Sequence, residues 1–159
     1  MPSVYVGLGS NIDRESNVRD GIAALGARFG ALLRSAVFES PAEGFDGDDF
    51  YNLVVGFYTE ESLEAVAHAL REIEEAQGRV RGAPKLTSRT LDLDLLLFGD
   101  MIRTDSPPIL PREDIVRFAF VLGPLADIAP DLRHPALGQS IAELWREFGE
   151  KRHSLRRLE

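Results

Sequence analysis

The sequence predicts a single domain that mixes β-strands with α-helices. Its 159 residues, of which 44% are hydrophobic and 28% charged, are enough for one substantial core. Runs of apolar and β-branched residues typical of strands alternate with segments whose apolar residues recur at helical spacing. No internal repeat or linker interrupts this alternation, so we expect one domain over residues 1–159.

The first half of the chain contains three predicted strands and two predicted helices. Both helices are indicated by apolar residues that share one helical face, and they end at Gly30 and Gly78, where glycine favours termination. A segment rich in Pro, Gly and Asp at 40–49 is expected to be a solvated loop. In order, the predicted elements are a strand at 4–8, a helix that ends near Gly30, strands at 32–39 and 50–57, and a helix at 62–77.

The stretch from Thr90 to Gly99 reads Thr-Leu-Asp-Leu-Asp-Leu-Leu-Leu-Phe-Gly and predicts a further strand. Because side chains alternate across a strand, one face should carry only leucines and the other should carry both aspartates. The predicted leucine face comprises Leu91, Leu93, Leu95 and Leu97, and the opposite face comprises Asp92, Asp94, Leu96 and Phe98.

Asp92 and Asp94 are the main candidates for a metal site. Their Cα atoms should lie roughly 6–7 Å apart, given the rise of a strand. Two carboxylates beside a leucine-rich core need a neutralising cation, and Mg2+ typically combines one or two carboxylates with substrate phosphates. The alternative is a strand whose acidic side chains simply point into solvent.

Basic residues are concentrated just before this strand, although the whole chain carries a net charge of −8. Residues 79–89 contain Arg79, Arg81, Lys85 and Arg89 and no acidic residue. The net charge argues against general nucleic-acid binding, whereas a basic cluster beside a metal site suits a triphosphate. A solvated basic loop is the alternative interpretation.

The remainder of the chain is predicted to be mostly helical after an extended, proline-rich segment at 107–111. A capping-box sequence begins at Ser140, and the basic C-terminal segment, with Lys151, Arg152, His153, Arg156 and Arg157, is expected to fray. The predicted elements are helices at 112–118 and 121–128, a last helix from Ser140 to Phe148, and a frayed tail at 149–159.

Composition also bears on the compartment. The chain has no cysteine, and no apolar run approaches the ~20 residues that a membrane span needs. The N-terminus, Met1-Pro2-Ser3-Val4, lacks the basic and apolar regions of a signal peptide. We therefore expect a cytoplasmic protein without a membrane partner.

Several short motifs occur in order between residues 4 and 148. They are Gly7-Leu8-Gly9-Ser10-Asn11, Tyr51-Asn52, Gly78-Arg79-Val80-Arg81, the block from Ser88 to Gly99, Leu110-Pro111, and Gly123-Pro124-Leu125. In this order and spacing they resemble the 6-hydroxymethyl-7,8-dihydropterin pyrophosphokinase family of folate biosynthesis. The block Arg-Thr-Leu-Asp-Leu-Asp-Leu-Leu-Leu-Phe-Gly is the most specific of them.

The resemblance implies an α+β fold with a ferredoxin-like antiparallel sheet core flanked by helices. It implies that the pyrophosphoryl group of ATP moves to the hydroxymethyl oxygen of the pterin and that AMP is released. Two Mg2+ ions are the implied cofactors, and ATP is the co-substrate. The expected partners are these small molecules alone, with no nucleic acid and no membrane, and the protein is expected to be a monomer.

The resemblance also assigns roles to residues at matching positions. Asn52 would hydrogen-bond the edge of the pterin, and two aromatic rings would sandwich it. The implied catalytic residues are Arg79, Arg81, Arg89, Asp92 and Asp94, the two aspartates being the metal ligands. The implied ATP-binding residues are Glu74, Arg79, Arg81, Lys85, Arg89, Leu110, Arg112 and Arg117. The implied pterin-binding residues are Ser40, Pro41, Phe50, Asn52 and Phe120.

Five positions depart from the family pattern. Arg112 and Glu113 follow Pro111 where the family commonly has a histidine and then tyrosine or proline, and Phe118 stands where it has an arginine, with Arg117 displaced by one residue. Leu86 replaces a frequent aromatic residue and Ser88 replaces a proline. The hypothesis is that Arg112 and Arg117 together supply the phosphate-neutralising charge of the missing histidine and arginine.

Two other functions stay open at this point. One is a divergent paralogue that transfers pyrophosphate to a different pterin, and the other is a pterin or nucleotide sensor without turnover. The presence of Asp92 and Asp94 with three arginines favours chemistry, because a sensor has little need of two metal ions.

Overall fold

A computed structural model describes residues 1–42, 46–78 and 90–158, with Lys151 described by its backbone alone. Within these residues one six-stranded sheet lies between two layers of helices. The strands are β1 (Ser3–Ser10), β2 (Leu33–Arg34), β3 (Phe38–Ser40), β4 (Phe50–Tyr58), β5 (Asp92–Phe98) and β6 (Arg156–Arg157). The helices are α1 (Arg14–Phe29), α2 (Leu63–Ala76), α3 (Asp114–Arg117), α4 (Ala119–Ile128) and α5 (Ile141–Glu147), followed by a 3-10 helix (Gly149–Ser154).

The sheet has the strand order β5-β1-β4-β3-β6, and β2 pairs separately with β4. All of these pairings are antiparallel. The central strand β1 is apolar and β-branched, and Val4 and Val6 are fully buried. With β2 and β3 together acting as one interrupted strand, the order is that of a ferredoxin-like sheet. The predicted α+β class with an antiparallel sheet flanked by helices is confirmed.

Helices cover both faces of the sheet and divide the core in two. Helices α1 and α2 pack on one face, where Leu25 and Val66 meet Val6 and Leu53. Helices α3, α4 and α5 pack on the other face against Val54 and its neighbours. No helix within the described ranges is both long and apolar enough to cross a membrane.

The predicted alternation of β5 is wrong at its second half. The register between β1 and β5 shifts between Tyr5 and Val6, which pair with Leu97 and Leu95, so Leu96 is the extra residue of a β-bulge. Leu96 and Leu97 consequently both face the second core cluster, and Phe98 joins the leucines of the first. The two aspartates precede the bulge and keep a common face.

Most other predicted elements are found with small shifts. The predicted strand at 32–39 is two short strands, and the helix predicted at 112–118 has a single turn, α3. Ser62 and Ser140 cap α2 and α5 with their side chains, and Ser140 forms the predicted capping box with Glu143. The peptide bonds 107–108 and 110–111 are cis.

The frayed tail predicted at 149–159 is wrong for the described residues up to Leu158. Strand β6 pairs with β3, and Arg157 Nη1 lies 2.6 Å from Asp127 Oδ1. Leu155 packs so closely on α4 that a Cβ added to Gly123 would lie 2.4 Å from it. The acidic partners of this tail are distant in sequence, 30 residues away for Asp127, so the local pattern does not reveal them.

Candidate active site

One end of the sheet carries polar side chains on the face that is covered by α4. Asp92 pairs with Gly9, and Gly9 in turn pairs with Asn52, so these three residues form a row across β5, β1 and β4. Directly paired residues point to the same face, and two strand spacings separate Asp92 from Asn52 by about 10 Å. Gly9 keeps the middle of the row open, because a Cβ there would lie 3.0 Å from Asn52 Oδ1.

Asn52 and Ser40 form a buried polar contact on this face. Both are buried, and Asn52 Nδ2 donates a hydrogen bond of 2.6 Å to Ser40 Oγ. Phe50 lies directly opposite Ser40 and is half-buried, while Pro41 is exposed at the end of β3. The hydrogen bond fixes the Asn52 amide and leaves its carbonyl oxygen toward the Gly9 position.

Asp94 lies on β5, at the other side of this face from Asn52, among charged groups. Its burial, and next the neighbouring Asp92 carboxylate, raise the pKa of Asp94 well above its ordinary value. The Arg112 guanidinium opposes this effect, because its Nη2 lies 3.2 Å from Asp94 Oδ1. Among the described residues, Arg112 is thus the cation placed against Asp94, and burial together with the Asp92 carboxylate still disfavours the ionised form of Asp94.

Arg112 is held by more than one group. Its Nε donates to Asp114 Oδ2 at 3.2 Å, and its backbone N–H donates to Leu96 O at 3.0 Å. Asp114 belongs to α3 and is itself buried. Sequence reasoning did not single out Asp114, although an acid two residues after an unusual arginine is a signal for a local ion pair.

The aromatic and basic candidates on α3 and α4 lie beside each other. Phe120 is stacked on Phe118 with ring centroids 4.9 Å apart, and the Arg117 guanidinium lies 5.4 Å from the Phe118 centroid. Phe120 is only partly buried against the second core cluster. The structure thus places Arg117 on an aromatic ring, whereas Arg112 reaches the carboxylates.

Two candidate ATP-binding residues lie in the interior. Glu74 on α2 is 7% exposed, and its Oε2 accepts a hydrogen bond of 2.7 Å from the backbone N–H of Leu93. Leu110 is 1% exposed and exchanges two backbone hydrogen bonds with Arg103. Glu74 therefore accepts a hydrogen bond from the outer edge of β5, between the two aspartates. A role in binding ATP stays a prediction for Glu74 and for Leu110.

The basic segment lies outside the described residues. Arg79, Arg81, Lys85 and Arg89 all fall there, as do Leu86 and Ser88. Their roles in binding phosphate remain predictions from the sequence.

The carboxylates of Asp92 and Asp94 suit a hard divalent cation whose remaining ligands come from a substrate and from water. Within residues 1–42, 46–78 and 90–158, no cluster of three or more His, Cys, Asp or Glu side chains is arranged to hold a metal ion. Asp92 and Asp94 offer carboxylate oxygens, which fit Mg2+ when phosphates and water complete its coordination. The pair is thus compatible with ions that arrive with a nucleotide.

Fold and site together define the chain as an α+β domain with a ferredoxin-like sheet and an acidic pair at one sheet end. The sequence model of the family described as 7,8-dihydro-6-hydroxymethylpterin-pyrophosphokinase (HPPK) matches residues 5–130. The chain belongs to this family, and the resemblance read from its motifs is confirmed.

Individual relatives agree with the family match. The chain is 37% identical over 136 residues to the 2-amino-4-hydroxy-6-hydroxymethyldihydropteridine pyrophosphokinase of Methylorubrum extorquens, covering 83% of this chain and 85% of that protein. It is 34% identical over 149 residues to the folic acid synthesis protein fol1 of Pneumocystis carinii, covering 92% of this chain. It spans only 20% of the fungal protein.

Solved structures agree on the fold. The HPPK-DHPS triple mutant of Plasmodium falciparum with SDX-DHP superimposes with a TM-score of 0.76 at 13% identity. The match covers 98% of this chain and 47% of that one. At this identity the similarity concerns the fold alone.

Proposed function

We propose that this chain transfers the pyrophosphoryl group of ATP to the hydroxymethyl oxygen of 6-hydroxymethyl-7,8-dihydropterin and releases AMP, as a step of folate biosynthesis. Family membership supports the reaction class. The observation that carries the proposal is the row of Asp92, Gly9 and Asn52, because it sets a candidate metal-binding carboxylate and a hydrogen-bonding amide on one face of the sheet.

The acceptor side of the row suits a flat heterocycle. Asn52 offers its amide to the pterin edge, and its hydrogen bond to Ser40 holds that amide in one orientation. Phe50 and Phe120 are proposed to stack on the two faces of the ring, with Pro41 closing one side. Stacking supplies affinity, and the polar edge contacts supply specificity.

The donor side suits the triphosphate. Asp92 and Asp94 would hold two Mg2+ ions, which, when bound, neutralise phosphate charge and favour in-line attack at the β-phosphorus. The raised pKa of Asp94 supports this role, because such a carboxylate gains most from a cation. We propose that Arg79, Arg81, Lys85 and Arg89 contact the phosphates.

Arg112 is proposed to serve the phosphates beside a metal ion that Asp94 would hold. Asp114 supports this, since its own contact with the guanidinium does not depend on Asp94. Arg117 is proposed to assist from the Phe118 ring. Glu74 and Leu110 are proposed to support ATP binding by fixing the backbone of β5 and of the segment around residue 110. We further propose a cytoplasmic, monomeric enzyme whose single domain spans 1–159.

The test is to incubate the protein with ATP, Mg2+ and 6-hydroxymethyl-7,8-dihydropterin and to separate the products by chromatography. We expect AMP and a diphosphorylated pterin in equal amounts, with neither product in the presence of EDTA. Formation of ADP would indicate transfer of a single phosphoryl group instead. Binding of both ligands without turnover would favour a sensor, and turnover only with another pterin would favour a divergent paralogue.

A further inference from the structure

Arg14, the first residue of α1, contacts the strand pair β3–β4 from behind the candidate pterin site. Its Nη1 donates to Asp49 O at 3.0 Å, and its Nη2 lies 2.7 Å from Glu39 Oε2. Its guanidinium carbon lies 3.9 Å from the centroid of the Tyr51 ring. One side chain thus joins the start of α1 to β3, to β4 and to the segment that leads into β4.

The three partners of Arg14 are immediate neighbours of residues on the pterin side. Asp49 and Tyr51 flank Phe50 in sequence, and Glu39 lies directly opposite Tyr51 in the strand pairing. Because side chains alternate across a strand, Glu39 and Tyr51 point away from the face that carries Phe50. Arg14 therefore holds the reverse side of the backbone that presents the pterin-facing residues.

A second side chain, from the short segment between β1 and α1, reinforces this contact. Asn11 is 4% exposed, and its Nδ2 donates a hydrogen bond of 3.0 Å to Asp48 O. Two successive carbonyls, those of Asp48 and Asp49, thus accept from Asn11 and Arg14. The pair fixes the backbone directly before Phe50.

Glu39, the acidic partner of Arg14, is itself held by a second arginine. The Glu39 carboxylate is 15% exposed and also pairs with Arg156 of the C-terminal strand β6. A carboxylate between two guanidinium groups stays ionised, and its two oxygens have one partner each. Glu39 is therefore a fixed anchor for Arg14.

We propose that Arg14 is a positioning residue for the pterin, acting through Phe50 and the backbone of β3 and β4. The inference rests on the proposed function for the identity of the ligand. A guanidinium is required, because only its planar fork can donate to a carbonyl and a carboxylate while lying flat on a ring. Sequence reasoning passed over Arg14 because it lies three residues after the Gly7-Leu8-Gly9-Ser10-Asn11 motif and belongs to no motif of its own.

Arg14→Ala and Arg14→Lys test the proposal, with Arg28→Ala as the matched control. Arg28 is in the same helix and forms a two-pronged ion pair with Glu61, with distances of 2.5 and 2.6 Å, far from the candidate site. We expect Arg14→Ala to raise KM for the pterin about tenfold to a hundredfold, the scale of a misplaced binding group, with KM for ATP changed less than about twofold. Arg14→Lys should recover only part of the loss, and Arg28→Ala should change neither KM.

Pterin binding measured by fluorescence, with Mg2+ and a non-hydrolysable ATP analogue present, separates the proposal from the question of turnover. The affinity for 6-hydroxymethyl-7,8-dihydropterin should fall in Arg14→Ala and stay unchanged in Arg28→Ala, even if the wild-type protein releases no AMP. An Arg14→Ala protein that binds the pterin like the wild type, or that raises both KM values equally, would overturn the positioning role. Thermal unfolding of the three variants shows whether each one is folded at the assay temperature.

Discussion

The two sides of the candidate site differ in how their polar groups are satisfied. On the acceptor side, Asn52 and Ser40 are buried and bond to each other at 2.6 Å, with no net charge. On the donor side, Asp94 lies beside Asp92, and the Arg112 guanidinium 3.2 Å away relieves only part of the repulsion. Within the described residues, side chains of the fold satisfy the acceptor side, whereas on the donor side the ionised form of Asp94 is disfavoured, which a bound cation would relieve.

The donor side should lose most when one carboxylate is removed. We expect Asp94→Asn to lower kcat by at least about a thousandfold, because it removes the proposed metal ligand beside the reacting phosphate. AMP release at saturating Mg2+ measures the effect, and unfolding in urea checks that the variant is folded. Near wild-type AMP release would show that Asp94 does not hold the metal ion.

Arg112 should compete with Mg2+ in the protein without nucleotide. Arg112→Ala removes the guanidinium from Asp94, so calorimetric titration should show Mg2+ binding about tenfold tighter than in the wild type. Arg117→Ala is the matched control, since that guanidinium lies on the Phe118 ring instead. Equal Mg2+ affinity in the two variants would mean that Arg112 is not a counter-ion of the metal site.

The pH dependence of stability should report how strongly the fold disfavours the ionised form of Asp94. The pKa of Asp94 is raised in the folded protein, so the native state retains a proton that the unfolded chain has already released. Stability should therefore fall as pH rises from the ordinary carboxyl value of 3.8 to the raised value, by about 1.4 kcal/mol per pKa unit of difference.

Urea denaturation in EDTA at several pH values measures this slope, with Asp94→Asn as the reference because it lacks the titrating group. As pH rises, the free energy of unfolding of the wild type should decrease relative to that of Asp94→Asn. Parallel curves for the two proteins would contradict a raised pKa of Asp94.

The smallest effect is expected at the C-terminal strand, on the acceptor side of the sheet. Deleting residues 156–159 removes the pairing of β6 with β3 and the ion pair of Arg157 with Asp127. The free energy of unfolding should fall by about 1–2 kcal/mol, the sum of a few exposed contacts. If the truncated protein is as stable as the full chain, the deleted residues contribute nothing and the frayed tail predicted from the sequence is correct.

Patterns that depend on neighbours in sequence predict the structure correctly. The alternation of β5 put both aspartates on one face, and Ser140 with Glu143 predicted the start of α5. Both features follow from local periodicity or capping chemistry, which one segment contains by itself.

Features that depend on distant partners were missed. The bulge at Leu96 arises from pairing with β1, and β6 is ordered by acids such as Asp127 in another element. The contacts of Arg14 and of Arg112 likewise join segments that only the folded chain brings together. The sequence could name candidate site residues, but it could not say which charges neutralise one another.

We propose that the two sides of the site serve two different substrates. Steady-state kinetics of Asn52→Ala and Arg112→Ala, each with ATP and the pterin varied in turn, test it most directly. We expect Asn52→Ala to raise KM for the pterin at least about tenfold and to leave KM for ATP within about twofold. Arg112→Ala should lower kcat/KM for ATP by a similar factor and spare KM for the pterin. Equal changes for both substrates in both variants would contradict the division of the site.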